Sequence, residues 1–558
     1  MTASPAAARR VPGARWRSVA VVVFALLLFA WTHRHALTLI GFADDLALLA
    51  QWPRLAARGT LWQTVWAGID QPLWAGSTMW RPWAQASFAL DATQWGAVAE
   101  RWHLTNLALH VANAVLVRLL ARELGSMPEG RSEPTLSHDT EAASAWAFAL
   151  FLLNPWAPEV TLWLVGRFDG WATFGVLLSL WAAPRSRRSL GYVLLSLAAA
   201  ALAYAAKESA LIVVVWLPIV LVALVPWPWP WSRSWASLAQ STQRRWAIVL
   251  LGHFALAGIY LVWRAHLFGG ALATVYGATP AASPVILAQR FAAQFAFPVG
   301  LAPLAPVAAG FAALIALLLL AAGWRDARSR RVRFVALAMI VAALGALALY
   351  HAEPPTGGDG YRLYYLTAVG AALALSATPS AARGRWPTVA LLALVVACAQ
   401  WQSRTAREWT QASASMDAAL RGLRSVAASL PATDYALVLM PDRLGHVPFA
   451  RNAQGALPDF AGQWRTTEGA SGWPRSRLIV FTPPQLAEWQ RLANEGVVPR
   501  LAEREDAPEN PTRYYCFDER SGALRDVGYW TPTDPLVWTA RWRHAVAAQC
   551  PALRGALA

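Results

Sequence analysis

The sequence has few charged residues, a single lysine and almost no cysteine. Of 558 residues, 14% are Asp, Glu, Lys or Arg, and Lys207 is the one lysine. Soluble proteins carry about 25% charged residues, so this deficit excludes an ordinary soluble globular chain. Three cysteines, Cys398, Cys516 and Cys550, are too few for a disulfide scaffold and lack the spacing of metal ligands. Both a Cys516–Cys550 bridge and free thiols remain open.

Apolar residues and tryptophan take the place of charge. Hydrophobic residues make up 56% of the chain, and there are 32 Trp, a residue that concentrates at membrane–water boundaries. The formal charge is +16, but the arginines fall in short clusters between apolar runs. Such clusters are typical of a topology signal rather than of nucleic-acid binding. The composition therefore predicts a protein that crosses a lipid bilayer several times and binds no nucleic acid.

Apolar segments of membrane-spanning length, about 17–25 residues, recur along residues 1–402. We expect an all-α polytopic membrane domain of about eleven transmembrane helices, with an uncleaved first span and a first outer loop at about 40–102. The predicted spans are 17–39, 103–124, 142–158, 168–184, 189–206, 209–226, 246–266, 306–323, 334–350, 361–378 and 386–402.

The arginine clusters give the expected orientation. They occur at every second loop, for example at 9–17 and 325–333, as the positive-inside rule requires for a cytoplasmic N-terminus. An odd number of spans then places the C-terminus outside. The alanine- and arginine-rich, lysine-poor composition suggests a high-GC bacterium, so we expect the inner membrane and a periplasmic C-terminus.

Residues 403–558 differ in character from the rest of the chain. They are polar, contain the strand-like runs YALVLM and RLIVFTP, and predict a hairpin in YYCFDERSGALRDV that turns at Ser521-Gly522. This pattern predicts a small α/β extracytoplasmic domain, in a location that would permit a Cys516–Cys550 bridge.

Two adjacent acids, Asp44 and Asp45, follow the first apolar span directly, in LIGFADDLALLAQWP. Acids beside a membrane-length segment are costly unless they lie at its aqueous end or in a polar cavity. A carboxylate near low dielectric is poorly solvated and more basic, which suits a general base, whereas a pair of helix-end acids in water is the alternative. The amphipathic stretch that follows, DLALLAQWPRLAARGTLWQTVW, could lie in the membrane interface above them.

Further polar residues fall at the outer ends of later spans. They are Glu159, Arg167 and Asp169 between the third and fourth spans, Lys207 and Glu208 at the fifth, and Tyr361 and Arg362 at the tenth. Their position on one side predicts an outward-facing polar cavity, which would tolerate the two aspartates. On the second span, His103, Asn106, His110 and Asn113 share one helical face, which favours a hydrogen-bonded packing stripe over a metal site.

The polar motifs, in their order, resemble those of a known family. They are DD after the first span, WRPWAQASFALDATQWG, HLTNLALHVANAVLVRLL, NPWAPEVTLWLVGRFD, AKESA and GYRLYYLTAVG. The set is similar to the GT-C membrane glycosyltransferases, in the protein O-mannosyltransferase-like branch with its tetratricopeptide-bearing transmembrane relatives, over about residues 20–375. Asn154 stands where that family usually has His, no acid directly precedes the pair at Tyr361 and Arg362, and residues 403–558 do not resemble a tetratricopeptide tail.

The resemblance implies an inverting enzyme that moves a sugar from a polyprenyl-phosphate donor to an extracytoplasmic protein hydroxyl, lipid or glycan. It places the catalytic acid at Asp44 or Asp45. The residues expected to bind substrate, with the four basic ones holding the lipid phosphate, are Arg81, Asp91, His103, Glu159, Arg167, Asp169, Lys207, Glu208, Tyr361 and Arg362. Some members use a divalent cation, and the scattered acids here leave that option open.

Two other classes of function compete with the enzyme. A transporter or flippase for lipid-linked glycans would have charges near the bilayer midplane and broken helices in a repeat. A non-catalytic envelope-assembly protein would need no converging site at all. Acids and bases that converge under the first outer loop favour the glycosyltransferase.

Overall fold

The fold is known from a computed structural model, in which most of the described residues are helical and a small sheet lies near the C-terminus. The described residues are 13–73, 77–126, 138–225, 240–270, 285, 288, 290–291, 314–321, 326–348, 360–377, 386–431, 434–453, 455–463, 477–494, 512–530 and 544–553.

Sixteen described helices have defined bounds. They are α1 (Gly13–Thr32), α2 (Asp44–Ala57), α3 (Leu61–Ala67), α4 (Pro82–Trp95), α5 (Ala99–Gly125), α6 (His138–Leu152), α7 (Pro158–Leu162), α8 (Arg167–Arg185), α9 (Leu190–Tyr204), α10 (Val213–Ala223), α11 (Gln240–Phe268), α12 (Ala327–Ala348), α13 (Thr367–Ser376), α14 (Trp386–Ser429), α15 (Ala456–Gln463) and α16 (Pro483–Asn494). Short 3-10 turns at Leu164–Gly166, Glu208–Ile212 and Tyr361–Tyr364 connect some of them.

The described strands all belong to the C-terminal region. They are β1 (Tyr435–Leu439), β2 (Arg443–Leu444), β3 (Val447–Pro448), β4 (Leu478–Phe481), β5 (Thr512–Asp518) and β6 (Ala523–Trp530). The four-stranded sheet has the order β4-β1-β5-β6, with β1 parallel to both of its neighbours and β5 antiparallel to β6. Gly522 lies in the turn between β5 and β6 with a positive φ of 64°, which glycine adopts without steric cost. The predicted hairpin and both strand-like runs are confirmed.

Four described helices are long and apolar enough to cross a membrane, judged by length and composition. They are α1 with the turn after it (Trp16–Thr38), α5, α11 and α14. Other predicted spans coincide with shorter helices, such as α10 with 11 residues and α13 with 10, and 306–323 lies partly outside the described residues. The count of eleven spans stays a prediction.

The placement of apolar and polar side chains agrees with a membrane environment. Leu251 and Val262 of α11 are 68% and 70% exposed, and Phe334 of α12 is 73% exposed. Water would penalise such surfaces, whereas lipid would cover them. On α5, the polar side chains of Asn106 and Asn113 are instead buried inside the protein. Polar groups turned inward and apolar groups turned outward are what a helix in lipid requires.

The C-terminal region packs directly on α2, in the segment that the sequence predicts to be the first outer loop. Helix α14 runs for 44 residues without interruption, so the predicted domain boundary at 402/403 lies inside it. One hydrophobic core joins Leu46 and Leu49 of α2 to Trp409 of α14 and to Phe517 of β5. The first outer loop and the C-terminal sheet therefore form one structural unit.

The bridge between Cys516 and Cys550 is formed, and Cys398 is free and buried. The bridge closes a segment with a sequence separation of 34, for which loop-closure entropy contributes about 3–4 kcal/mol. Structural disulfides of this kind mostly form and persist in oxidising compartments.

We expect the full chain, extracted from membranes and denatured without reductant, to react with a thiol reagent only at Cys398. After reduction all three cysteines should react, because the bridge protects the other two until it is broken. Mass spectrometry of the labelled peptides measures this. Labelling of Cys516 and Cys550 before reduction would show that the C-terminal region meets a reducing compartment.

Candidate functional site

Both carboxylate oxygens of Asp45 accept hydrogen bonds from backbone N–H groups. Its carboxylate is fully buried and accepts hydrogen bonds from the backbone N–H groups of Val165 at 2.9 Å and of Phe42 and Leu164, each at 3.2 Å. Burial raises the pKa of Asp45 to about 8, against the opposing effect of these donors. Asp45 thus ties the start of α2 to the 3-10 turn at Leu164–Gly166.

Asp44 points elsewhere, as adjacent residues on a helix must. It is half-buried, and Arg362 is the strongest positive charge acting on it. Burial raises the pKa of Asp44, whereas Arg362 and a hydrogen bond from Asn452 lower it. The guanidinium groups of Arg451 and Arg81 act in the same direction. Of the two adjacent acids, Asp44 is the one that faces a polar, positively charged space.

Arg362 is held by the buried acid Glu159. Its guanidinium lies 3.3 Å from Glu159 Oε1, and its backbone N–H donates to Glu159 Oε2 at 2.9 Å. The guanidinium also lies over the ring of Trp163, 4.4 Å from the centroid, a cation–π arrangement. Burial raises the pKa of Glu159 to about 7, although Arg362 opposes the shift. This acid can therefore take or release a proton near neutral pH.

Two more ion pairs lie beside this one. Lys207 Nζ donates to Asp169 Oδ1 at 2.6 Å, and both side chains are buried. Arg81 approaches Glu208 Oε1 at 3.3 Å and stacks over Phe168.

The cations around Glu208 keep it in its ionised form. Its burial would raise the pKa, but Arg81, Lys207 and Arg264 outweigh that effect and lower it to about 2. Glu208 is consequently ionised at any physiological pH and holds the surrounding cations in place.

The three ion pairs lie close enough together for their charges to act on one another and on Asp44, which itself makes no ion pair with a described residue. Asp44 interacts with Arg362 and Arg81, Glu159 interacts with Asp169 and Lys207, and Glu208 interacts with Lys207 and Arg81. We call the set the ion-pair ring: Asp44, Arg81, Glu159, Asp169, Lys207, Glu208 and Arg362. Its members come from segments far apart in sequence, at the ends of helices, and all seven are residues that the sequence singled out.

Arg167 and Asp91 lie outside the ring, although the sequence predicted that they bind substrate. The guanidinium of Arg167 has no exposed surface and donates to Asn106 Oδ1 at 2.7 Å and to the Trp102 carbonyl at 2.7 Å. It also contacts Asp91 Oδ2 at 2.5 Å and lies over the ring of Phe88. Since these partners satisfy the guanidinium inside the protein, we assign Arg167 to holding α4, α5 and α8 together.

His103 and the other polar residues of α5 also serve packing. His103 is fully buried beside the backbone of Leu39 and Thr161. His110 bonds to Tyr365 Oη at 2.7 Å and to the Leu152 carbonyl at 2.9 Å. Of the predicted hydrogen-bonded stripe on α5, Asn106, His110 and Asn113 are confirmed, whereas the His103 ring has no hydrogen-bond partner among the described residues.

The C-terminal region contributes side chains that the sequence did not single out. Tyr361 packs on Trp156 and stacks with His446, with ring centroids 6.5 Å apart in the second case. Arg451 and Asn452 act on Asp44. They lie in an ordinary polar turn, RNAQG, and no periodicity or motif marks them.

Metal ligation is not evident in the part of the chain that the structure describes. No group of three or more His, Cys, Asp or Glu residues there is arranged as metal ligands would be. Most carboxylates of the ion-pair ring already face a cationic side chain.

Comparison of the chain with protein-family models, with curated proteins and with solved structures finds no match. The ion-pair ring and the chemistry that its side chains can perform are the remaining indications of function.

We expect Asp45→Ala to lower the free energy of unfolding by at least about 2 kcal/mol, because three backbone N–H groups lose their acceptor in a buried place. Thermal unfolding in detergent measures the loss, with Asp44→Ala as the matched control, because Asp44 accepts no backbone hydrogen bond of this kind. Equal stability of the two variants would contradict the structural role of Asp45.

The raised pKa of Glu159 should make the thermal stability of the protein depend on pH. Because the pKa of Glu159 is raised in the folded state, its contribution is fully present below about pH 4.5 and is lost as the pH rises through about 7. The Tm of the wild type minus the Tm of Glu159→Gln should therefore fall between about pH 5 and pH 7.5. A difference that is flat, or that rises with pH, would contradict the assignment.

Proposed function

We propose that this chain is a membrane glycosyltransferase of the GT-C type, which moves a sugar from a polyprenyl-phosphate donor to an extracytoplasmic acceptor. The observation that carries the proposal is the ion-pair ring, in which a half-buried acid, Asp44, faces several cations at one end of the helices. A base beside a set of phosphate-holding cations is what transfer from a sugar phosphate requires.

Asp44 is the proposed general base. Its carboxylate takes the proton of the acceptor hydroxyl while the acceptor oxygen attacks the anomeric carbon of the sugar. The bond from that carbon to the phosphate oxygen breaks, and the polyprenyl phosphate leaves with the electron pair. The configuration inverts because attack and departure occur on opposite faces. Asp45 cannot share this role, since its oxygens are engaged with Phe42, Leu164 and Val165.

Arg362, Arg81 and Lys207 are proposed to hold the phosphate of the donor. Arginine can bind phosphate through two parallel hydrogen bonds, and lysine adds a compact charge. Glu159 has a pKa of about 7, so protonation of this acid near neutral pH would release Arg362 to an incoming phosphate. The cations are thus in place before the donor arrives, which lowers the reorganisation needed when charge develops on the leaving group.

We also propose about eleven spans, a cytoplasmic N-terminus and a location in a bacterial inner membrane. The shared core of the first outer loop and the C-terminal sheet supports this orientation, because both must then lie on the same side of the bilayer. The Cys516–Cys550 bridge supports an oxidising, extracytoplasmic location for that side.

Asp44→Asn should reduce sugar transfer by roughly 10²–10⁴, the usual contribution of a general base, because the amide keeps the shape and loses the basicity. The assay uses membranes at matched protein level and radiolabelled polyprenyl-phosphate sugars. Asp417→Asn, which changes an acid on α14 paired with Arg421, is the control and should keep full activity. Full activity of Asp44→Asn, or movement of donor lipid across the membrane without transfer, would contradict the proposal.

Arg362→Gln should weaken binding of the donor by about 10- to 100-fold, the effect of losing a hydrogen bond to a charged group. The measurement is displacement of a labelled polyprenyl-phosphate sugar from the purified protein. Arg118→Gln is the matched control, because Arg118 also pairs with a carboxylate, Glu141, at 2.6 Å and is similarly shielded. Equal donor affinity of both variants would remove Arg362 from the phosphate site.

A further inference from the structure

The C-terminal region reaches the ion-pair ring through one short segment, residues 449–453, which follows β3. The Ala43 N–H donates to the Phe449 carbonyl at 2.8 Å, one residue before Asp44. Phe449, Ala450 and Ala453 are buried in the core that also contains Leu46 of α2. The segment is therefore fixed against the start of α2.

Unusual backbone conformations occur on both sides of this contact. Ala43 has φ 48° and ψ −124°, and Asn452 has φ 58°; they are the non-glycine residues with positive φ in the described part of the chain. Alanine is disfavoured in such a conformation, whereas asparagine tolerates the left-handed region. Strained residues persist where the surrounding structure holds them, and they concentrate at functional sites.

The segment brings Asn452 near Asp44, through the backbone contact of Ala43 with Phe449. Asn452 is exposed at the surface, and its side chain lowers the pKa of Asp44, which is otherwise surrounded by charged groups. Those groups are Arg81 before α4, Arg362 in the turn before α13, Arg451 in the C-terminal segment and Asp45 on α2 itself. Asn452 is thus the neutral donor among the groups that act on Asp44.

We propose that Asn452, from the C-terminal region, is a positioning residue that holds the carboxylate of Asp44 toward the ion-pair ring. The inference rests on the proposed function and extends it, because it makes the C-terminal region part of the site rather than an attached module. The amide N–H stabilises the ionised carboxylate and restricts its rotation about the side-chain bonds.

Asn452→Gly is the informative variant. Glycine adopts φ 58° without strain, so the substitution removes the amide and leaves the backbone conformation accessible. Asn452→Asp is the second variant, because aspartate also tolerates this backbone conformation but places a second negative charge beside Asp44. Both changes should move the titration of Asp44 to higher pH, the second more than the first.

The first measurement does not depend on enzymatic activity. The Tm difference between a parent and its Asp44→Asn variant is followed from pH 4 to pH 9, in the wild-type and Asn452→Gly backgrounds. The midpoint of this difference reports the pKa of Asp44. It should lie at higher pH in the Asn452→Gly background, and an unchanged midpoint would overturn the inference.

The second measurement is sugar transfer as a function of pH. The acidic limb of the profile should move to higher pH in Asn452→Gly, and kcat at high pH should fall about tenfold with KM little changed, because the base is less well oriented. An unchanged limb and unchanged kcat would overturn the positioning role even if the first midpoint moves.

Ser521→Gly is the matched control for both measurements. Ser521 is also exposed, lies in the C-terminal region and donates a hydrogen bond to a carboxylate, that of Asp518, at 2.7 Å. It should leave the midpoint and the pH profile unchanged. If the wild type transfers no sugar, the proposed function fails, while the midpoint of the Tm difference still decides whether Asn452 acts on Asp44.

Discussion

The arrangement of the site depends on one buried carboxylate, that of Asp45. By accepting hydrogen bonds from the N–H groups of Phe42, Leu164 and Val165, it joins the first outer loop to the turn between α7 and α8. Because the next residue along a helix points about 100° away, fixing Asp45 also fixes the direction of Asp44. The same turn places Trp163 beneath the guanidinium of Arg362. Asp45 thus has a structural role, and its neighbour Asp44, the proposed base, points in another direction.

The second constraint is the balance of charge around Asp44. Buried cations without partners would repel one another and lose their hydration, at a cost of several kcal/mol per ion. Glu159, Asp169 and Glu208 remove that cost by pairing with Arg362, Lys207 and Arg81. In the proposed reaction, the phosphate of the donor must therefore compete with these carboxylates for the cationic side chains. Glu159 releases its cation more readily than Glu208, since burial raises the pKa of Glu159 to about 7 whereas nearby cations lower that of Glu208 to about 2.

Much of this arrangement could be predicted from local patterns in the sequence. Apolar length indicated the helices, and turn chemistry indicated the hairpin at Ser521-Gly522. Polar residues near the ends of the predicted spans indicated a converging cavity and included six members of the ion-pair ring, whereas Arg81 was expected at the site only from the resemblance to the GT-C family. The same reasoning could not separate Arg167 from Arg362, because both are arginines at the start of a helix. Only packing distinguishes them: Arg167 has no exposed surface, whereas Arg362 remains accessible beside Asp44.

The contact of residues 449–453 with the start of α2 could not be predicted from the sequence. Periodicity and motifs report interactions between neighbours along the chain, whereas residues 449–453 lie about four hundred residues from α2 and meet its start through the Ala43–Phe449 contact and the shared core. The apolar face of α2 also had a plausible alternative partner, the membrane interface. Its burial against the C-terminal region instead removes that face from lipid and brings a neutral hydrogen-bond donor to the acid. The start of α2, which carries the proposed base Asp44, is thereby packed against the C-terminal region.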